Sequence, residues 1–126
     1  MVGENVTKEE IIERLNTLPE AIKNQEINIL KIQDEINNLE SSLNYAEARI
    51  KRRVMDETED GKPKYTNETQ RKMAIDLRTQ DDGEHKNLRV QMANKTKEIS
   101  EAKIGLESMQ NKFKAARSMT LLFGNE

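Results

Sequence analysis

The sequence has no cysteine and no tryptophan, and among its 126 residues there are only two prolines, five glycines, two phenylalanines and two tyrosines. Without cysteine there is no disulfide framework, no thiolate metal site and no cysteine nucleophile, so a chain this small is held together by helix packing or by oligomerisation. Aromatic residues at 3% and apolar residues at 34% are too few for a conventional enzyme core. No apolar stretch approaches the roughly 20 residues that cross a bilayer. The opening MVGENVTKEE has neither the basic patch nor the apolar core of a signal peptide. A cytoplasmic protein with no membrane contact is the expectation.

Catalytic motifs are missing too. There is one histidine, and there is no G-x-S-x-G, no G-x-x-x-x-G-K-[ST], no H-E-x-x-H and no glycine-rich dinucleotide turn. Carboxylates abound, but exposed carboxylates on helices keep ordinary acidities and do little acid-base work. The expectation is a protein without catalytic residues, cofactor or small-molecule substrate.

What is present is charge, 35% of residues, nearly balanced at 21 basic against 23 acidic for a net of -2. So balanced a composition does not suit a protein that coats nucleic acid in bulk, although local patches still matter. Apolar residues recur with helical period, which argues for long solvated helices in one domain, 1–126, over disorder.

Thr7-Lys8-Glu9-Glu10 reads as a capping box opening a short helix over 8–17, with Ile11, Ile12, Leu15 and Leu18 on one face. Pro19 then predicts a break and a restart. From 19 to 55 runs a first arm in which Ile22, Ile29, Ile32, Ile36, Leu39, Leu43, Ala46 and Ile50 alternate at three- and four-residue steps, interrupted by Gln25. That is a heptad seam. Ile27 and Leu30 widen it where the first helix is expected to fold back.

Residues 56–66, with Gly61 and Pro63, read as the main loop. Thr66 is expected to cap a tip helix over 67–80. Asp81-Asp82-Gly83-Glu84 predicts a kink or restart, with Asp81 and Glu84 as a second capping box. A second arm over 83–118 carries Leu88, Met92, Ile99, Ala102, Leu106, Met109, Phe113 and Ala116, with His85 and Lys95 as polar members of the seam. An apolar tail, 119–126, follows and is expected to cover the first helix.

The fold expected is therefore all-α: a long antiparallel helical hairpin, coiled-coil-like, with a short N-terminal helix and a short helix near the tip. Its register pairs Ile22 with Ala116, Ile29 with Met109, Ile36 with Ala102, Leu43 with Lys95 and Ile50 with Leu88. The hairpin or oligomer seam rests on Ile29, Ile36, Leu43, Ile50, Leu88, Ile99, Leu106 and Phe113. One narrow stripe per arm buries little against the entropy of ordering, so a homo-oligomer is expected, with closure within one chain or by exchange between chains both open.

Three segments bear on function. Asp81-Asp82-Gly83-Glu84-His85 has the residue types of a hard-metal site but no known ligand spacing, and a helix restart explains the same letters. Around the expected tip, residues 49–78 hold nine basic and six acidic side chains, net +3, leaving -5 for the rest. Arg52, Arg53, Lys62, Lys64, Arg71 and Lys72 are the candidate phosphate or acidic-partner contacts, with Tyr65 as a candidate base stacker. The competing reading is a charged loop whose cations pair with Asp56, Glu57, Glu59, Asp60 and Glu68. Lys103, Lys112, Lys114 and Arg117 around Phe113, followed by Leu121-Leu122-Phe123, fit a helix that docks in a partner's groove, or simply cations at a helix end.

The run Glu59-Asp60-Gly61-Lys62-Pro63-Lys64-Tyr65-Thr66-Asn67-Glu68-Thr69-Gln70-Arg71-Lys72, with the charged heptad helix ending Phe113-Lys114-Ala115-Ala116-Arg117, resembles small coiled-coil early proteins of phages and prophages of Gram-positive bacteria. That group shares a D-G-K-P-x-Y-[ST]-N-E-x-x-R turn. The resemblance covers roughly residues 30 to 122, though outside the turn it is generic coiled coil, and this chain is richer in Asn and Ile than the group. It implies an early phage protein, encoded near single-strand annealing and single-strand-binding genes, with no assigned activity to carry over.

The function expected is an accessory role in phage DNA recombination or replication, bridging DNA, single-stranded DNA included, or a DNA-bound protein through the basic tip. The alternative is an inhibitor or adaptor that pairs with a host enzyme or defence factor through 113–123. A virion or scaffold component is a third reading, which needs extensive self-assembly.

Overall fold

A computed structural model describes residues 6–123. Among them the chain forms three helices and one small hairpin: α1 (Lys8–Asp56), β1 (Thr58–Glu59), β2 (Lys62–Pro63), α2 (Glu68–Asp81) and α3 (Gly83–Phe123). The long helix α1 packs antiparallel against α3, so the architecture is the expected all-α hairpin. Its contacts fall into two compact units, Asp34–Lys97 and a second that joins the chain up to Gln33 with the chain from Glu98 onward.

In the unit built from the two chain ends, Thr7 caps α1 by accepting the Glu10 amide at 3.2 Å. The helix does not end at residue 17 as expected. It runs through Pro19, which sits exposed inside α1. Proline forfeits one backbone hydrogen bond and crowds the preceding turn. Here Ile11, Leu15, Leu18 and Ile22 keep the seam's four-three-four spacing across it, and a restart would throw the following residues off the seam. Because the helix is continuous, its first turns do not fold back, and Ile27 and Leu30 stay uncovered at 54% and 66% exposure. Ile11, Ile32, Ile99, Ala102 and Ala116 form the buried line of this unit.

The other end of the chain differs in the same direction. The second arm does not stop at 118: α3 continues to Phe123, so most of the expected tail is helix, and residues 124–126 lie outside the described residues. Leu121 and Leu122 remain 74% and 70% exposed, so these two side chains do not cover α1.

In the unit Asp34–Lys97, Ile36, Ala46, Ile50, Val54 and Ala74 are buried, together with His85. The segment expected as a loop contains an antiparallel two-residue ladder, Thr58 opposite Pro63 and Glu59 opposite Lys62. Asp60 and Gly61 take φ of 53° and 76°, the left-handed pair that a two-residue hairpin turn requires and that Asp-Gly adopts readily. A backbone bond from the Lys64 amide to the Glu57 carbonyl, 3.0 Å, extends the ladder. The cap of α2 is Asn67, not Thr66: its side chain accepts the Gln70 amide at 2.8 Å, while the Gln70 side chain accepts the Thr66 amide at 3.3 Å. Between α2 and α3 only Asp82 is extended. It, not Asp81, caps α3, accepting the His85 amide at 2.9 Å.

The seam residues sit where the spacing put them. Ile36, Ile50 and Ile99 are buried and Ile29, Leu43, Leu88, Leu106 and Phe113 half-buried, with the hairpin closed inside one chain. The register is different. Gln25 reaches Ala102 and Gly105, Glu35 pairs with Lys95 and Glu47 contacts His85. All of these slide α3 by about one heptad from the expected pairing of Leu43 with Lys95. A strict heptad matches itself after such a slide. The polar members of the seam decide it, because this register gives Gln25, Lys95 and His85 each a partner.

Candidate partner-binding site

The basic residues of 49–78 all belong to the unit Asp34–Lys97, on the end of α1, on and just after the β hairpin, and on α2. The structure sorts them into two groups. Arg49, Lys64 and Arg78 are spent on carboxylates. Arg49 donates to Glu84 at 2.6 Å and lies 3.6 Å from Asp82. Glu57 takes both Arg78 and Lys64, the latter at 3.3 Å. These contacts stabilise the charged forms: the Arg78 hydrogen bond, then the Lys64 one, hold Glu57 below the ordinary carboxylate value. Bonding to Glu57 raises both Arg78 and Lys64, and bonding to Glu84 raises Arg49.

The second group is Lys51, Arg52, Arg53, Lys62, Arg71 and Lys72, none of which makes an ion pair among the described residues. Arg71 donates to the Tyr65 carbonyl at 3.5 Å, which positions its guanidinium without neutralising it. Lys51, Arg71 and Lys72 come together around a groove of about 330 Å3 between α1 and α2, with Met55 and Ile75 as its apolar lining and Glu68 as its one carboxylate. Arg53 lines a separate groove of about 330 Å3 with Ile50, Leu77, Arg78, Asp81 and Asp82. Arg52 and Lys62 are exposed outside both grooves.

Tyr65 is not the free stacking platform that the sequence suggested. It is half-buried, Arg78 donates to its hydroxyl at 3.4 Å, and the Lys64 ammonium lies 5.5 Å from its ring centre. A face already covered by a cation is not offered to a base. Lys51 is the contributor that the sequence reading left out of the site. Its helical spacing from Met55, matched by that of Arg71 from Ile75, is the signal that places a cation beside an apolar residue on each wall.

In the run Asp81–His85, three side chains have structural partners. Asp82 caps the helix, Glu84 holds Arg49, and His85, 5% exposed, places Nε2 3.0 Å from the Glu47 carboxylate. Among the described residues no group of three His, Asp or Glu side chains is gathered to hold a metal ion. None of their helices is long and apolar enough to cross a membrane.

No protein-family model, curated protein or solved structure matches the chain.

Proposed function

We propose that this chain is a non-enzymatic, phage-type accessory protein of DNA recombination or replication, self-associated, that docks through its basic tip on DNA or on the acidic surface of a DNA-bound protein. The observation that carries the reading is the division of the tip cations. Arg49, Lys64 and Arg78 are consumed in building the tip, which leaves Lys51, Arg52, Arg53, Lys62, Arg71 and Lys72 on the same unit without an ion pair among the described residues. Cations that a fold does not use are the ones available for phosphates or carboxylates. Tyr65 supplies no stacking in this reading, so binding is electrostatic and tolerant of sequence. The phage assignment rests on the resemblance of the Asp60–Arg71 turn.

The test is fluorescence anisotropy of labelled single- and double-stranded oligonucleotides with the full chain at low and near-physiological salt. Binding that weakens steeply with salt, and is lost in Arg52→Glu/Arg53→Glu or Lys51→Glu/Lys72→Glu with helicity unchanged, supports the proposal. No binding at low salt removes DNA as the ligand. In that case a second reading gains, an adaptor that pairs with a host protein, which the exposure of Leu121 and Leu122 favours.

A further inference from the structure

We infer that the unit made by the start of α1 and the end of α3 is a homodimer interface, in which the groove between Leu15 and Leu121 takes the same edge of a second copy. This gives a location to the self-association assumed above and does not depend on nucleic-acid binding.

The seam expected to drive oligomerisation is used up inside the chain, so any association must use another face. The groove holds about 470 Å3 and is lined by Leu15 of α1 and by Lys114, Arg117, Ser118, Thr120 and Leu121 of α3. Apolar surface borders it: Ile12, one turn before Leu15, is 50% exposed, and Leu121 and Leu122 are 74% and 70% exposed. Exposed aliphatic side chains grouped beside a groove gain by being covered.

Charge identifies the occupant. The first turns of α1 carry Glu9, Glu10 and Glu13 alongside Lys8 and Arg14, and α3 carries Lys112, Lys114 and Arg117 ahead of its last turn. The helices lie side by side in one unit, yet none of Glu9, Glu10, Glu13, Lys112, Lys114 and Arg117 forms an ion pair among the described residues. The Arg117 guanidinium instead sits 6.0 Å from the Phe113 ring centre. A surface with both signs repels part of any uniformly anionic ligand, whether nucleic acid or membrane. A second copy related by a two-fold axis matches it, because each copy's α1 carboxylates then meet the other's α3 cations, and the contact is made twice. Leu15 and Leu121 supply the apolar part of the contact, and Lys114 and Arg117, which line the same groove, are placed to meet the other copy's carboxylates.

Sedimentation velocity of the full chain over a micromolar concentration series tests this directly, with circular dichroism as the check on folding. A concentration-dependent dimer is expected, and Leu121→Glu/Leu122→Glu should make it monomeric with helicity unchanged. Glu9→Lys/Glu13→Lys and Lys114→Glu/Arg117→Glu should each weaken association by about tenfold alone, and an equimolar mixture of the two should restore it as a heterodimer. The inference is overturned by a monomer at every concentration, by a dimer indifferent to all three variants, or by a mixture that associates no better than its components. Oligonucleotide binding with a monomeric protein would overturn this interface while leaving the tip's function standing.

Discussion

The Gln25 side chain donates its amide to the backbone carbonyl of Ala102 at 2.9 Å, and an added Cβ on Gly105 would stand 3.5 Å from the same nitrogen. A polar residue in an apolar seam is tolerated where it finds a partner, and by finding it in one alignment only it fixes the register. Glycine at 105 leaves room for the amide to lie against α3. Since the chain has no cysteine, the register can be trapped cleanly. Gln25→Cys/Gly105→Cys should form an intramolecular disulfide readily, and Gln25→Cys/Lys112→Cys, one heptad further on, should not. The reverse outcome would restore the register expected from the sequence.

Pro19 lies exposed inside α1, where proline costs a helix interior about 3 kcal/mol relative to alanine. Pro19→Ala should therefore stabilise the chain by up to about 3 kcal/mol, seen as a higher midpoint in thermal or urea unfolding. If α1 actually broke there, with Pro19 at the first turn of a new helix, the substitution would be close to neutral.

The periodicity of the apolar residues was enough to read the two long helices, their antiparallel pairing and the membership of the seam, because that pattern is set by local geometry. Register was not legible, since Ile29 fits against Met109 or Ala102 equally well by spacing and the choice lies with Gln25, His85 and Lys95. Continuity through Pro19 was hidden for the opposite reason: a strong local signal is overridden by seam residues on both sides of it. The Asp60-Gly61 turn was legible in principle, as Asp-Gly is a hairpin signal, but the charged residues around it have no strand alternation. At the tip, composition announced the cations and said nothing of their use. Which of them Glu57 and Glu84 neutralise, and that Arg78 and Lys64 occupy Tyr65, depends on contacts across three elements.

Glu57 links the β hairpin to α2 through Arg78 and Lys64, and its acidity is shifted below the ordinary value. A carboxylate depressed in the folded state adds stability that is complete above its unfolded value and is lost as pH falls through its folded value. Acidification below the ordinary carboxylate range should therefore loosen the hairpin from α2. Carboxyl and aromatic resonances followed by NMR should show Glu57 titrating low and the Tyr65 ring responding with it. In Glu57→Gln the Tyr65 response should disappear, and a Glu57 that titrates at its ordinary value would contradict the ion pairs.

Tyr65 separates a structural role from a ligand-binding one. Its hydroxyl accepts from Arg78 and its ring lies beside Lys64, so Tyr65→Phe should cost roughly 0.5–1.5 kcal/mol, the net worth of an ordinary hydrogen bond. Tyr65→Ala should cost more, because the half-buried ring is also removed. If binding at the tip is electrostatic, Tyr65→Phe should leave oligonucleotide affinity and its salt slope unchanged, and Arg71→Ala should reduce both. Were Tyr65 a stacking residue, Tyr65→Ala would lose affinity that low salt does not recover, since stacking does not depend on released counterions. Measuring affinity for these variants at two salt concentrations, together with urea unfolding of each, distinguishes a tyrosine that holds the tip in shape from one that holds the ligand.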